Sequence, residues 1–537
     1  MDDRSNDTHP GHSAAGGGAE FRADYDVAVY GATAAGVSAA VAAARQGARV
    51  VVLEPGANVG GMMSGGLGYT DIGDPRALGG DAERFRQAVA DRYGVPVGRY
   101  AGPEPHVAEA VFTQWLERAG VDVVFGARLV TAHMVDGRID AVTTTEGRST
   151  RAQVFVDAGY EGDLLAAAGV AHAIGREDRF RYGECFAGRR ELLPGRHAMP
   201  PGISPFRDDE TGTTEGPVLP QVRDAPLAEV GEGDGGVMSY GYRVCLSQAA
   251  DRIPFERRPG YDDAQWELGR RYFADLARRG DVRDAGWYLG LEPNLPGGKA
   301  DGNSLGPYSL SVLDGSAWEY PGAGHAERER LRLHHLHHTA DFLWFLSHDP
   351  AVPATIRREL STWGLPSDEF AGTGHLPHQL YVREARRMQG STIITEHDLR
   401  RGGVPHDVVA LGSYHIDIRE VQRTWHWVFE HPRPLAMVFS EGYLSVPVPI
   451  YGIGLSALLP RREECANLIV PVCVSASHVA FASIRMEPQY QMLGQAAGTA
   501  AGLAVRHGRD LHDLDVDGLQ DALRADGAVL AVPSSGG

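Results

Sequence analysis

Cysteine is scarce in this 537-residue chain: only Cys185, Cys245, Cys465 and Cys473 occur, with no CxxC pair. A disulfide framework and a cysteine-built zinc site are therefore not expected, and a reducing, cytoplasmic compartment fits best. Positive charge is also short, since 51 Lys and Arg stand against 70 Asp and Glu, a net charge of −19. Such a balance argues against nucleic acid or an anionic membrane surface as the main partner. The least polar stretch, residues 27–44, is broken by Gly31, Thr33, Gly36 and Ser38, so no membrane span is expected. Residues 1–24 have no basic region followed by an apolar core and read as a disordered leader rather than an export signal. A GxSxG nucleophile elbow is missing from every strand-to-helix context. No ligand set for a metal is evident either: His334, His335, His337 and His338 crowd one helix without matching carboxylates and read as a solvated face.

What the chain does have is an early strand, glycine turn, helix and strand. Residues 25–30 (YDVAVY) are β-rich and end at Gly31, residues 34–46 are small and helical, and residues 48–53 (ARVVVL) form a second apolar strand. Apolar strands of this kind suit a buried parallel sheet. Further on, residues 107–119 have helical spacing, while 121–125, 129–135, 139–144 and 153–157 read as strands, with Asp136-Gly137 as a hairpin turn. From about 175 to 455 the sequence turns loop-rich, with an acidic surface loop at 208–236 and a helix at 327–346. A strand at 468–474, a small-residue helix at 491–505 and one more exposed helix within 509–525 complete the pattern.

The turn Gly31-Ala32-Thr33-Ala34-Ala35-Gly36 carries the first chemistry. In a GxGxxG fingerprint the first glycine permits the tight turn and the last permits close strand–helix packing. Thr33 stands where the middle glycine would admit a pyrophosphate, and its hydroxyl is able to bond phosphate instead. The following helix N-terminus offers N–H groups and a positive dipole end to an anion. Glu54 ends the second strand 23 residues after Gly31, where a carboxylate accepts bonds from ribose hydroxyls and repels a 2′-phosphate. Together these point to a dinucleotide. Gly60-Gly61 then bring a second backbone segment suited to a diphosphate nest.

At this point the chain resembles the FAD-dependent oxidoreductases of the glutathione-reductase-like superfamily, and more closely those described as xanthan-lyase-like. The markers are Gly60-Gly61-Met62, Asp157-Ala158-Gly159-Tyr160-Glu161-Gly162-Asp163, Tyr381 to Arg387 (YVREARR) and Arg485-Met486-Glu487-Pro488. The resemblance implies FAD as cofactor, held by Gly31, Thr33, Ala35, Gly36, Glu54, Gly60, Gly61, Met62, Asp157, Ala158, Gly159 and Asp163. It also implies that a C-terminal helix directs its N-terminus, with Arg485, Glu487 and Gln495, at the flavin N1–C2=O edge, where reduction leaves negative charge. Ser64 is a candidate donor to flavin N5. The alternative for residues 157–163 is a turn with an acidic helix cap, which is physically sufficient by itself. Gly494 and Gly498 lie four apart and allow tight packing on the first helix.

Residues 374–387 (GHLPHQLYVREARR) are the densest polar constellation. If helical, they place His378, Tyr381 and Ala385 on one face and Arg383 with Arg387 on another. Removing hydride beside an alcohol or amine needs a base, for which histidine is suited, and an arginine holds a carboxylate through two bonds. His378, Tyr381 and Arg383 are thus candidate catalytic residues, against the alternative that the arginines form structural ion pairs. His415 is a further candidate catalytic residue; it and Tyr414 face either a cavity or solvent. Members of the family commonly carry histidine where this chain has Arg419, so substrate preference is expected to differ if that position meets substrate.

No second glycine-turn unit with an acidic strand end exists for NAD(P)H, so electrons are expected from the substrate itself. The expected fold is α/β: a Rossmann-type FAD-binding domain made from both chain ends (25–174 and 456–508), an inserted α+β substrate or cap lobe (175–455), and a tail at 509–537. The expected activity is hydride transfer from a small polar organic molecule to flavin N5, with O2 or another acceptor reoxidising the flavin. A homo-oligomer is compatible with this reading. Its rivals are a non-redox, substrate-modifying enzyme on the same fold and a protein with a degenerate dinucleotide site.

Overall fold

The computed structural model describes residues 22–100, 102–192, 197–429 and 432–532. Most of the expected leader, residues 1–21, lies outside the described residues, but its last residues do not follow that expectation. The first strand, β1 (Arg22–Tyr30), starts earlier, because Arg22 to Tyr25 pair with Ser149 to Ala152. It is followed by α1 (Ala34–Arg45), β2 (Val50–Leu53), α2 (Gly80–Tyr93), α3 (Pro105–Ala119), β3 (Asp122–Val124), β4 (Leu129–Val135), β5 (Arg138–Thr144), β6 (Ser149–Asp157) and α4 (Asp163–Ala167). Asp136 and Gly137, at φ 47° and 71°, make the tight turn between β4 and β5.

The middle of the chain supplies β7 (Val244–Ser247), α5 (Glu267–Arg279), β8 (Lys299–Gly302), α6 (His325–His348), β9 (Ile416–Ile418), β10 (Gln422–Val428), β11 (Leu435–Glu441) and β12 (Leu444–Val446). Small antiparallel pairs form between β7 and β8, β9 and β12, and β10 and β11. The last elements are β13 (Leu468–Ile469), α7 (His478–Ile484), α8 (Glu487–His507) and α9 (Val516–Ala525). The strand expected over 468–474 is only two residues long: Pro471 has no N–H to give a ladder.

One seven-stranded sheet organises the dinucleotide part, in the order β3-β2-β1-β6-β5-β4, with β13 also on β6. β3, β2, β1, β6 and β13 run parallel, whereas β4 and β5 are antiparallel additions. Register places Tyr30 beside both Leu53 and Asp157, so the ends of β1, β2 and β6 are aligned. This is a Rossmann-type α/β arrangement, with the ligand-binding crevice at the carboxyl ends of the parallel strands.

Two apolar cores result. One surrounds the sheet, α1 and α8; the other is aromatic, with Trp266, Phe273, Tyr308 and Phe345 packed between α5 and α6. The α6 histidines do not share one environment. His335 and His338 are driven down to about 3 and about 4, chiefly by burial; His335 packs on Tyr240 of the first core and His338 on Trp266 and Phe342 of the second.

α1 and α8 pack backbone against backbone. A Cβ added at Gly494 would lie 2.1 Å from the Ala35 carbonyl oxygen, and one at Gly498 2.0 Å from that of Ala39. Both glycines are required for this backbone-on-backbone approach. Gly498→Ala should force the helices apart and lower stability by about 1–3 kcal/mol or more, read as a drop in Tm; an unchanged Tm would show that the helices separate freely.

Candidate cofactor cradle and adjoining cavity

The cradle is built from backbone. Gly31 turns the chain at φ 92°, and a Cβ there would meet the Gly159 amide nitrogen at 2.9 Å. Gly36 lies so close behind that a Cβ would fall 1.9 Å from the Gly31 carbonyl oxygen. Thr33 is the N-cap of α1: its hydroxyl accepts from Gly36 N–H at 3.2 Å and donates to the Ala158 carbonyl at 2.8 Å. Because its proton is engaged there, the hydroxyl is not a phosphate donor as expected. Ala35 contributes backbone to the α8 contact, and Ala158 backbone to the Thr33 bond.

Glu54 reaches over this turn from the end of β2. Its two oxygens accept from Ala32 N–H and Gly56 N–H, each at 2.6 Å. Burial pushes the carboxyl up to about 7, and no arginine or lysine opposes the shift. Beside it, Gly60 and Gly61 adopt φ 100° and 55°; a Cβ on Gly61 would strike the Tyr160 hydroxyl at 2.3 Å. Met62 N–H donates to that hydroxyl at 2.9 Å, which in turn donates to Glu487 at 2.7 Å. Glu487 opens α8, its second oxygen is buried without a protein partner, and burial raises it to about 8.

Other expected cofactor residues have structural duties. Ser64 donates to the Val59 carbonyl at 2.5 Å, so its proton is not available for a flavin N5. Asp157 accepts from Leu165 N–H at 2.8 Å and Gly159 N–H at 3.3 Å, closing the β6–α4 turn. Asp163 binds Arg328 at 2.6 Å and Arg386 at 2.9 Å. Gln495, more than two turns into α8, accepts from Asp81 N–H at 2.9 Å and donates to the Asp526 carbonyl, tying α2 to the end of α9. The partners of Asp163 and the Asp81 partner of Gln495 lie far away in the chain, so the sequence does not reveal them.

A polar cavity of about 580 Å³ opens beside Arg485. Arg485 ends α7 immediately before α8; it binds Asp417 at 2.7 Å and the Tyr381 hydroxyl at 3.2 Å. Tyr381, Arg383, Tyr414 and His415 also line it, with the His415 Nε2 3.9 Å from Asp417. The helix proposed around residue 381 is not formed. Residues 374–386 are irregular, held by bonds such as Tyr381 N–H to the Gly241 carbonyl at 2.9 Å. With no helical face to join them, His378 and Tyr381 separate: His378 packs edge-on against Phe370, is absent from the cavity lining, and is pushed down to about 4 by burial. Arg387 is buried in ion pairs with Glu177 and Glu384.

Sequence reasoning missed Asp71, Arg243 and Asp301 on the same walls. Arg243 and Asp301 pair with each other, and Gly68 N–H donates to Asp301 at 3.0 Å. Burial is the main cause raising Asp71, with the Arg243 charge opposing it. Only Asp71 had a local signal, its position shortly after the glycine-rich stretch. A separate cluster of Glu104, His106, Asp368 and Glu369 holds the Lys299 ammonium, 2.6 Å from Glu104 and 2.7 Å from Asp368. Among the described residues no helix is long and apolar enough to cross a membrane.

A family model described as FAD dependent oxidoreductase matches residues 26–523. The chain belongs to that family. As an FAD-dependent oxidoreductase it is also similar, over part of its length, to solved flavoprotein-type structures. The 3-ketosteroid-delta4-(5alpha)-dehydrogenase from Rhodococcus jostii RHA1 matches at 20% identity over 26% of this chain and 46% of that one, with TM-score 0.19. L-proline dehydrogenase from P. horikoshii matches at 15% over 29% and 58%, with TM-score 0.23. The matched region thus spans about half the length of these proteins. Among curated proteins none matches.

The cradle fits FAD. Glu54 is a half-buried acid without a cation, suited to ribose hydroxyl donors, and glycines at 31, 36 and 60–61 keep side chains off the turn. The unpartnered Glu487 oxygen and Arg485 Nε leave polar capacity at the start of α8. Ribose hydroxyls favour ionised Glu54, so binding FAD must lower its pKa and release a proton. Affinity for FAD should therefore rise with pH up to about 7 and flatten above it, by at most about tenfold per unit. Fluorescence titration of apoprotein tests this: Glu54→Gln should weaken binding and remove that slope, and an unchanged slope would assign it elsewhere.

Proposed function

We propose that this FAD-dependent oxidoreductase is a dehydrogenase or oxidase acting on a small polar organic substrate held in the cavity beside Arg485. When bound, FAD supplies a two-electron acceptor that takes a hydride from a substrate carbon at flavin N5. The chain's own residues then have three tasks: to orient the substrate, to accept the proton left on its oxygen or nitrogen, and to balance charge. His415 is the proton acceptor in this reading, because its ring lines the cavity and Asp417 lies 3.9 Å from Nε2. Tyr381, fixed by Arg485, bonds the polar group of the substrate, and the Arg485 guanidinium faces negative charge developing at the site.

The observation that carries this reading is the shared use of Arg485. It lines the cavity and stands next to α8, whose first residue, Glu487, is joined through Tyr160 to the Gly61-Met62 segment of the cradle. This path links the residues beside the cavity to those of the cradle. The four cysteines are all unpaired, which supports a reducing compartment.

An anaerobic screen of small alcohols, amines and hydroxy acids should find substrates that bleach the flavin band in a stopped-flow experiment. His415→Asn should slow that bleaching by about 10²–10⁴-fold with FAD content unchanged. A wild-type rate in the variant would remove His415 from the reaction, and a band that no substrate bleaches would overturn the redox reading.

A further inference from the structure

Among the described residues four arginines line the cavity, and they are not equally satisfied. Arg243 has Asp301 and Arg485 has Asp417. Arg383 is different: it is only 3% exposed, donates to the Ser239 carbonyl, and lies over the Tyr381 ring at 4.5 Å. Among the described residues, no carboxylate is within ion-pair distance of it. Nearby charges in the chain are paired elsewhere, Glu384 with Arg387 and His478, and Arg386 with Asp163.

Arg419 completes the arrangement. It is 8% exposed, donates to the Ser304 carbonyl at 2.5 Å, and lies 3.4 Å from Glu420. Its Nε is buried without a partner. Glu420 also bonds the His197 ring, which stacks on Tyr443 with centroids 3.8 Å apart. Arg419 therefore has only a carboxylate divided with a histidine and Arg383 has none in ion-pair distance, so these two guanidiniums carry one positive charge more than Glu420 supplies. Burial and the nearby Arg419 charge push Arg383 down to about 9, so the pair is held against its own repulsion. A buried cation without a counter-ion is costly unless something supplies the missing charge.

We infer that Arg383 and Arg419 form a monoanion subsite, and that the substrate carries a carboxylate which seats there while its oxidisable carbon is held nearer Tyr381 and His415. The inference rests on the proposed function for the redox step but not for binding. A carboxylate matches the excess of one charge and the planar fork geometry of guanidinium. A phosphate dianion would leave negative charge uncompensated. Tyr443 and His197 give the subsite a flat, partly apolar wall suited to the organic body of the acid.

The test is calorimetric titration of the FAD-loaded protein with benzoate, with benzamide as its neutral counterpart, and with inorganic phosphate. Benzoate should bind at least about tenfold more tightly than either, and it should perturb the flavin absorbance. Arg419→Gln and Arg383→Gln should each weaken benzoate by about tenfold or more and leave benzamide unmoved, with the flavin-to-protein absorbance ratio confirming intact holoenzyme. Arg383→Lys, which keeps the charge and loses the fork, should fall between. No benzoate binding, equal affinity for benzamide, stronger binding of phosphate, or full benzoate affinity in both glutamine variants would overturn the subsite. These readouts need no turnover, so a flavin that no substrate bleaches would sink the redox reading while leaving this result standing.

Discussion

The contact of α1 with α8 is the constraint on which the site depends. Gly494 and Gly498 bring the two backbones to a separation that any side chain would prevent. α1 begins at the dinucleotide turn, and α8 begins at Glu487, one residue beyond the Arg485-Met486 pair. Locking the helices side by side therefore fixes two distant parts of the chain against each other. The glycine turn and Glu54 come from one, and the cavity arginine from the other. A looser helix pair would leave both sites present but out of register.

Around that contact most of the buried arginines are paired with carboxylates. Arginines that hold segments together have carboxylates: Arg386 and Arg328 on Asp163, Arg387 on Glu177 and Glu384, Arg176 on Asp234 and Glu441. In the cradle Glu54 and Glu487 lack such partners, and burial is the main cause lifting Glu54 to about 7 and Glu487 to about 8. Satisfied pairs confer rigidity, whereas unsatisfied groups retain capacity for a ligand. Arg383 belongs to the second class although it sits between members of the first.

The polar segment around residue 381 shows how backbone conformation alters a sequence reading. On a helix, His378 and Tyr381 would share a face; in the irregular segment the residues separate to a protein-packed site and the cavity. Irregular backbone is stable here because its amide groups bond to other segments, as Tyr381 does with Gly241. That bonding is tertiary and leaves no periodic mark. Thr33, Ser64 and Gln495 follow the same logic: each has a hydroxyl or amide able to serve a cofactor, and each gives it to a protein carbonyl or amide.

By itself the amino-acid sequence determined the strand–turn–helix–strand unit, the carboxylate at its end, the β4–β5 turn and the glycine pair on α8. These are short-range properties, since φ preference, apolar periodicity and spacing act within a few residues. Only the tertiary structure decided which arginines are paired and which face open space, and that Asp71, Arg243 and Asp301 join the cavity. Coulomb and hydrogen-bond partners are chosen by distance in space, and here the partners come from segments up to hundreds of residues apart.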